Sequence, residues 1–188
     1  MRSTLGYTAL AIADECRMAG IVRAHEAAKE HGLKLLVGSQ LQVDWGTASS
    51  SSTTAFTLTV LACNLLSYGN LCQFITKLRR NSAKGTYHLD IADIADITGA
   101  ELSDCVVVMS PKRMSEPEQL QTLGKWLLDN FIGRCWMGVE QIRVLDDEMW
   151  LHRLRQMSGS TAIPVVAVGD AHFDFRSRKP LQDVLTAT

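Results

Sequence analysis

Acidic side chains and one imidazole lie at or near the ends of apolar runs in this 188-residue sequence, where they could take part in chemistry. Five residues are of this kind: Asp14, Glu15, Glu140, Asp170 and His172. In parallel α/β sheets and barrels, functional groups gather where the strands reach their carboxyl ends. If these runs are parallel strands, the five side chains are expected to converge at one mouth.

Asp170 and His172 are two residues apart, so an extended backbone points both side chains to the same side. Imidazole and carboxylate together suit zinc, manganese or iron, and the pair could supply two ligands of one metal. Taken alone, this spacing is a weak signal. The simpler interpretation is that Asp170 caps the following turn and His172 is a hydrogen-bonded loop residue.

Two other groups of residues could carry chemistry but have plainer explanations. The basic pairs at 79–80 and at Arg176 and Arg178 could contact phosphates, or could be solvated charges near helix ends. The five cysteines form no C-x-x-C pair, which favours buried free thiols in a reducing compartment over a nucleophile or metal ligand. The sequence contains no phosphate-binding glycine loop, nucleophile elbow or HExxH.

The elements that must position these residues alternate between short apolar runs and stretches of helical period. Strands are predicted at 9–13, 33–43, 56–62, 105–109, 136–142 and 164–168, and helices at 18–31, 68–80, 120–131 and 150–157. Six strands interleaved with helices predict an α/β fold with a largely parallel sheet. The serine-rich stretch 47–54 is predicted to be a surface loop before the third strand.

The composition predicts one globular domain over residues 1–188. Lysine and arginine number 19 against 20 acidic residues, and hydrophobic residues make up 46%. This balance argues against intrinsic disorder and against a strongly basic nucleic-acid-binding domain. No apolar run approaches the ~20 residues of a membrane span and no signal peptide is recognisable, so we expect a cytoplasmic protein without a membrane partner.

Longer strings of the sequence carry a family resemblance. They are GYTALAIADEC at 6–16, AGIVRAH at 19–25, KLLVGS at 34–39, YGNLC at 68–72, GDAH at 169–172 and RSRKPLQDVL at 176–185. Together they resemble the PHP (polymerase and histidinol phosphatase) domain of bacterial error-prone DNA polymerases, C-family relatives of the polymerase III alpha subunit. The resemblance implies a distorted (β/α)7 barrel whose active members hold a metal cluster at the C-terminal mouth and hydrolyse phosphoesters.

The resemblance transfers only part of the family's metal ligands to this sequence. Asp14 matches the aspartate of the second motif, and Asp170 and His172 match the last motif. Glu15 stands where metal-binding members have histidine, and Gln40 stands where they have glutamate. A neutral amide is a poor substitute for a bridging carboxylate. The strand with the first motif, His-x-His, is missing, so the barrel is expected to be incomplete at its N-terminus.

These departures predict a module that has lost catalytic metal binding. The resemblance implies the N-terminal PHP module of an error-prone, lesion-bypass DNA polymerase, with a structural role. A residual manganese, zinc or magnesium ion could at most be held by Asp14, Glu140, Asp170 and His172. The alternatives are a metal-dependent phosphoesterase or 3′–5′ exonuclease-type hydrolase that uses these residues, and a plain interaction domain.

The resemblance also implies partners. The polymerase palm, fingers and clamp-binding segments are absent from the sequence, so the remainder of the polymerase is the first expected partner. DNA would be contacted through the parent enzyme, and the sliding clamp and translesion accessory proteins follow by resemblance. Without the His-x-His strand, the strand at 9–13 would have an unpaired edge that invites self-association.

Overall fold

The described residues of the protein fold into one six-stranded sheet with helices between most of the strands. The computed structural model describes residues 6–44, 54–91, 94, 102–113, 115–169, 171 and 175–186. The strands are β1 (Ala9–Glu15), β2 (Lys34–Asp44), β3 (Thr54–Ala62), β4 (Cys105–Pro111), β5 (Cys135–Val139) and β6 (Val165–Ala167). The helices are α1 (Ile21–Glu30), α2 (Leu65–Arg80), α3 (Pro117–Phe131), α4 (Asp147–Thr161) and α5 (Lys179–Thr186), the last preceded by a 3-10 turn at Arg176–Arg178.

The strands lie in the sheet in their chain order, and β3 is the one that runs against its neighbours. β1 with β2, β4 with β5, and β5 with β6 are parallel, whereas β3 is antiparallel to both β2 and β4. Three of the five pairings are therefore parallel, and the expectation of a largely parallel sheet is wrong for β3. The sheet curls into half of a barrel, which is the α/β architecture that the sequence predicts.

One face of the sheet forms the core with α2, α3 and α4. Side chains alternate between the two faces of a strand, and Leu41, Leu58 and Met109 are completely buried neighbours across β2, β3 and β4. The helices cover them with apolar residues at helical spacing: Leu71, Phe74 and Leu78 of α2, Leu120, Leu123 and Leu127 of α3, and Trp150, Leu154 and Met157 of α4. No described helix combines the length and the apolarity that crossing a membrane requires.

The start of α2 is fixed by a reciprocal cap. The backbone N–H of Ser67 donates to the Asn64 side chain at 2.8 Å, and the Asn64 N–H donates to the Ser67 hydroxyl at 2.9 Å. Such caps satisfy backbone donors that the first helical turn leaves unpaired and contribute about 1 kcal/mol each. The cap determines where α2 begins, and so where Arg79 in its last turn comes to lie.

Three predicted element boundaries differ from the structure near the candidate site. The strand predicted at 9–13 continues to Glu15, so Asp14 and Glu15 lie within β1 and do not follow it. The strand predicted at 136–142 ends at Val139, so Glu140 lies just beyond it. The chain turns there because Arg143 adopts a left-handed conformation with φ 63° and the following residues lead into α4. The helix predicted at 18–31 begins only at Ile21. Residues 47–53 of the predicted serine-rich loop lie outside the described residues, and position 54 begins β3.

Candidate functional site

A strip of polar side chains lies on the sheet face opposite to the core. Glu15 of β1 is the Cα partner of Gln40 in β2, and Gln40 is the partner of Thr59 in β3, so these three residues share one face. Two residues further along β2, Gln42 pairs with Thr57, whose hydroxyl donates to the Gln42 side-chain oxygen at 3.1 Å. We call these five residues the polar face.

Tyr87 reaches the polar face from the segment that follows α2. Its hydroxyl donates to Glu15 Oε1 at 2.8 Å and accepts the backbone N–H of Gln42 at 2.8 Å. Burial raises the pKa of Tyr87 far above its usual value, and the hydrogen bond to Glu15 adds to the rise. The phenol is therefore a protonated donor at neutral pH. The Glu15 carboxylate accepts this hydrogen bond through one of its two oxygens.

Arg79 holds Tyr87 in place. Its Nε donates to the Cys16 carbonyl at 3.2 Å, and a terminal nitrogen donates to the carbonyls of Gly85 and Thr86, each at 3.2 Å. The guanidinium carbon lies 5.2 Å from the centre of the Tyr87 ring, a cation–π distance. Arg79 thus joins the last turn of α2 to the end of β1 and to the Tyr87 segment. This structural role differs from both the phosphate contact and the solvated charge considered from sequence.

Asp14 lies next to Glu15 but belongs to the other face of the sheet. It pairs with Ser39, which is completely buried; the Ser39 hydroxyl donates to the Asp14 backbone carbonyl at 2.8 Å and accepts the Arg17 N–H at 3.2 Å. These bonds fix the turn after β1, where Cys16 has φ 45°. Because strand side chains alternate, the carboxylates of Asp14 and Glu15 point to opposite sides.

The structure brings only some of the predicted site residues together. Glu15 and Gln40 are cross-strand partners, while the exposed Glu140 follows β5, with three strands between it and β1. Asp170 and His172 lie outside the described residues. Within the described part of the chain, no three His, Cys, Asp or Glu side chains are grouped so that they could hold a metal ion. The described residues therefore do not by themselves fit a metal cluster.

The basic residues predicted as phosphate contacts lie in the 3-10 turn before α5. Arg178 is exposed, and its N–H donates to the Phe175 carbonyl at 2.8 Å. The side chain of Arg176 lies outside the described residues. A phosphate contact by this pair stays a prediction.

The cysteines are free thiols, and three of the five are buried as predicted. These are Cys16, Cys105 and Cys135, whereas Cys63 is exposed and Cys72 is half-buried. Burial raises the pKa of all three buried thiols, that of Cys105 to about 11. Because the thiolate is the nucleophile, these three are poorly suited to nucleophilic catalysis at neutral pH.

A second charged cluster fixes the segment after β5. Arg113 donates to both oxygens of Asp146, at 3.2 and 3.0 Å, and also to Asp147. The other Asp147 oxygen accepts the N–H groups of Arg143 and Val144 at 2.7 and 3.3 Å. Burial opposes ionisation of Asp147, but these donors outweigh it and the pKa is lowered. The hydrogen bonds from Arg113 likewise lower the pKa of Asp146.

This cluster should make the fold sensitive to acid. Because both pKa values are lower in the folded state, the stability that the carboxylates contribute is present above their unfolded value of about 4. It is lost as the pH falls through the folded-state pKa. We expect the melting temperature of the wild type to fall more steeply below about pH 4 than that of Asp147→Asn, which should already be less stable at pH 7.

Thermal melts between pH 2.5 and 7, followed by circular dichroism, would measure this difference. Asp183→Asn is the matched control, because Asp183 forms an exposed i,i+4 pair with Lys179 on α5 and should contribute little. Equal pH dependence in the wild type and Asp147→Asn would show that the cluster does not stabilise the fold.

Sequence reasoning misses Tyr87, although the structure gives it a central position. Tyr87 is 72 residues from Glu15, and no local periodicity links the two. The one signal available is an isolated aromatic residue within the largely polar stretch 81–90. Arg113 and Asp147 are missed for the same reason, since they belong to different elements.

The match to a known family decides which fold this is. The PHP domain profile matches residues 3–137, from the N-terminus into β5. The chain belongs to the PHP domain family.

Two solved structures have a similar fold. A protein from Bifidobacterium adolescentis assigned as a metal-dependent phosphoesterase superposes with a TM-score of 0.56 at 17% identity, covering 92% of this chain and 80% of that one. An amidohydrolase from Chromobacterium violaceum gives 0.59 at 14% identity, covering 90% and 79%.

Curated relatives of this PHP domain carry the name error-prone DNA polymerase. The protein from Dechloromonas aromatica is 42% identical over 183 residues, and that from Pseudomonas syringae pv. tomato is 40% identical over 182 residues. The one from Bordetella parapertussis is 37% identical over 188 residues. Each match covers 97% of this chain but only 16–18% of the relative, so the chain spans about one-sixth of their length.

Proposed function

We propose that this PHP domain is the structural N-terminal module of an error-prone, lesion-bypass DNA polymerase. Support comes from relatives of that name at 37–42% identity over nearly the whole chain. The observation that carries the structural role is that the cross-strand partner of Glu15 is the neutral amide Gln40, within a face whose side chains are joined by hydrogen bonds to Tyr87 and to one another.

The chemistry of the polar face favours hydrogen bonding over metal binding. Glu15 is the one carboxylate among the five residues of the polar face, and its Oε1 accepts a hydrogen bond from the Tyr87 hydroxyl. Hydrogen bonds to charged groups contribute about 1.5–3 kcal/mol. Gln40, beside it, brings no negative charge to balance a divalent ion. In place of a cluster, the network through Tyr87, Gln42 and Thr57 connects three strands to the segment after α2.

In this proposal, the remaining functions belong to the part of the polymerase outside this chain. Nucleotidyl transfer, DNA contacts and binding of the sliding clamp and translesion accessory proteins would be supplied there, in the cytoplasm. The near-neutral charge of this chain, with 19 basic and 20 acidic residues, is consistent with a module that does not itself grip DNA.

The second candidate is a metal-dependent phosphoesterase. It is favoured by the exposed carboxylates of Asp14 and Glu140 at strand ends, together with the predicted ligands Asp170 and His172. A residual manganese, zinc or magnesium ion at these residues would supply a metal-activated water for phosphoester hydrolysis.

Metal titration separates the two candidates. We expect that the purified chain, dialysed against Mn²⁺ or Zn²⁺ and then analysed by mass spectrometry, retains less than one ion per molecule. It should also show no metal-dependent hydrolysis of p-nitrophenyl phosphate or single-stranded DNA. Binding of two or more ions per chain would contradict the structural role. So would hydrolysis that is lost in His172→Ala but kept in the control His31→Ala, which alters an exposed histidine after α1.

A further inference from the structure

The edge strand β1 has a neighbouring strand on one side only among the described residues. The Cys16 N–H donates to the Gln40 carbonyl of β2 at 2.8 Å, and the backbone groups of successive strand residues point to opposite sides. Every second residue from Ala9 to Glu15 therefore directs its N–H and C=O groups away from β2. A row of unpaired donors and acceptors of this kind is a template for pairing with another strand.

The two edges of the sheet differ in length and in protection. β6, at the other edge, has three residues, whereas β1 has seven and pairs with β2 throughout without a register shift. Proline, bulges and charged side chains normally protect a long edge strand. The segment Ala9–Ala13 contains none of these, and Ala11 at its centre is exposed. β1 is therefore the edge that is open to pairing.

The segment Ala9–Ala13 is complementary to itself. Its sequence, Ala-Leu-Ala-Ile-Ala, alternates small and large aliphatic residues symmetrically about Ala11. We infer that β1 pairs with β1 of a second copy, antiparallel and with Ala11 opposite Ala11. Leu10 of each copy then lies opposite Ile12 of the other, in the close pairs without backbone hydrogen bonds, and the alanines form the hydrogen-bonded pairs. Because each copy has one such edge, the pairing closes with two copies.

The charges after this segment fix the register. With Ala11 at the centre, Asp14 and Glu15 lie outside the paired segment, and the Asp14 residues of the two copies are about 20 Å apart along the strands. At that distance salt screens their repulsion. A longer overlap of all seven residues would instead place Asp14 opposite Leu10 and remove part of the water around a carboxylate. The symmetric register over residues 9–13 is therefore the favoured one.

Sedimentation velocity of the 188-residue chain tests the pairing. Between about 5 and 500 µM, a range suited to a small interface, the average mass should rise toward that of a dimer. Ala11→Lys keeps the hydrogen bonds between β1 and β2 but places like charges opposite each other, and should weaken association about fivefold or more. Leu36→Lys is the matched control, because Leu36 is the cross-strand partner of Ala11, is 44% exposed and lies one strand from the edge. It should associate like the wild type.

Cross-linking tests the register, in a Cys63→Ser background that removes the exposed native thiol. Ala11→Cys should form a disulfide-linked dimer when oxidised with diamide, because the Cα atoms of a hydrogen-bonded antiparallel pair are about 5.5 Å apart. Ala9→Cys and Ala13→Cys should cross-link only when the two variants are mixed. A wild type that stays monomeric, association that Ala11→Lys leaves unchanged, or equal self-cross-linking of all three cysteine variants would each overturn the inference.

Discussion

Replacing Gly38 with alanine is expected to destabilise this PHP domain by about 3 kcal/mol, through overpacking between strands. A Cβ at Gly38 would lie 2.4 Å from the Val60 carbonyl oxygen and 2.6 Å from a methyl group of Leu61. The Leu61 side chain can rotate away, but the Val60 carbonyl is part of the β3 backbone. Relief therefore requires β2 and β3 to shift.

The position of Gly38 makes that shift costly for the site as well. It lies between Ala13 of β1 and Leu61 of β3, one residue before Ser39 and two before Gln40. A shift of β2 against β3 at this point would displace the cross-strand neighbours Glu15, Gln40 and Thr59 of the polar face. Glycine is thus required at position 38 because the neighbouring strand β3 approaches closely, and not because the chain turns there.

Gly69→Ala is the control with the opposite expected sign. Gly69 lies inside α2, and a Cβ there would meet no atom within 4 Å. Alanine in a helix interior is favoured over glycine by about 0.5–1 kcal/mol, so this variant should be more stable than the wild type. Urea denaturation of both variants measures the two free energies of unfolding. A Gly38→Ala variant as stable as the wild type would contradict the prediction that β3 leaves no room for a Cβ at position 38.

Local patterns in the sequence predict the elements well but not the direction of β3. The run predicted at 105–109 is observed as β4 at Cys105–Pro111, and alternation at 56–62 identifies β3. Alternation is the same in either strand direction, so orientation must come from the connections. Residues 45–53 link β2 to β3 without a predicted helix, and such short links join antiparallel strands, whereas parallel pairs need a longer crossover.

The candidate site was predictable only where the family resemblance named positions. The resemblance singles out Glu15 and Gln40 as departures from the metal-binding pattern, and the register makes them cross-strand partners, which was not predicted. The hydrogen bond that Glu15 accepts from Tyr87 could not be predicted, because Tyr87 lies 72 residues away in the sequence. Its approach depends on the length of α2 and on Arg79 at the end of that helix. Such contacts follow from tertiary packing and leave no periodic signal.

The same reasoning applies to the end of β5. The sequence predicts one strand over residues 136–142. In the structure β5 ends at Val139, and Ile142 is 54% exposed. The carboxylate of Asp147 accepts the N–H groups of Arg143 and Val144 in the segment that follows. These hydrogen bonds involve a residue of α4, which strand periodicity does not report.

Removing the Tyr87 hydroxyl is expected to cost about 2 kcal/mol of stability, within the range for hydrogen bonds to charged groups. Tyr87→Phe keeps the ring over Arg79 but deletes the donor to Glu15 and the acceptor for the Gln42 N–H. Tyr7→Phe is the control, because Tyr7 is exposed before β1 and should change stability by less than about 0.5 kcal/mol. Urea denaturation gives both values.

A double-mutant cycle with Glu15→Gln isolates the bond that the structural role depends on. If Tyr87 and Glu15 stabilise the fold through each other, the double variant should be more stable than the sum of the single losses predicts, by about 1 kcal/mol or more. A coupling energy near zero would mean that Glu15 does not depend on Tyr87. The contact between Tyr87 and Glu15 would then not stabilise the fold, and the structural role proposed for it would lose its support.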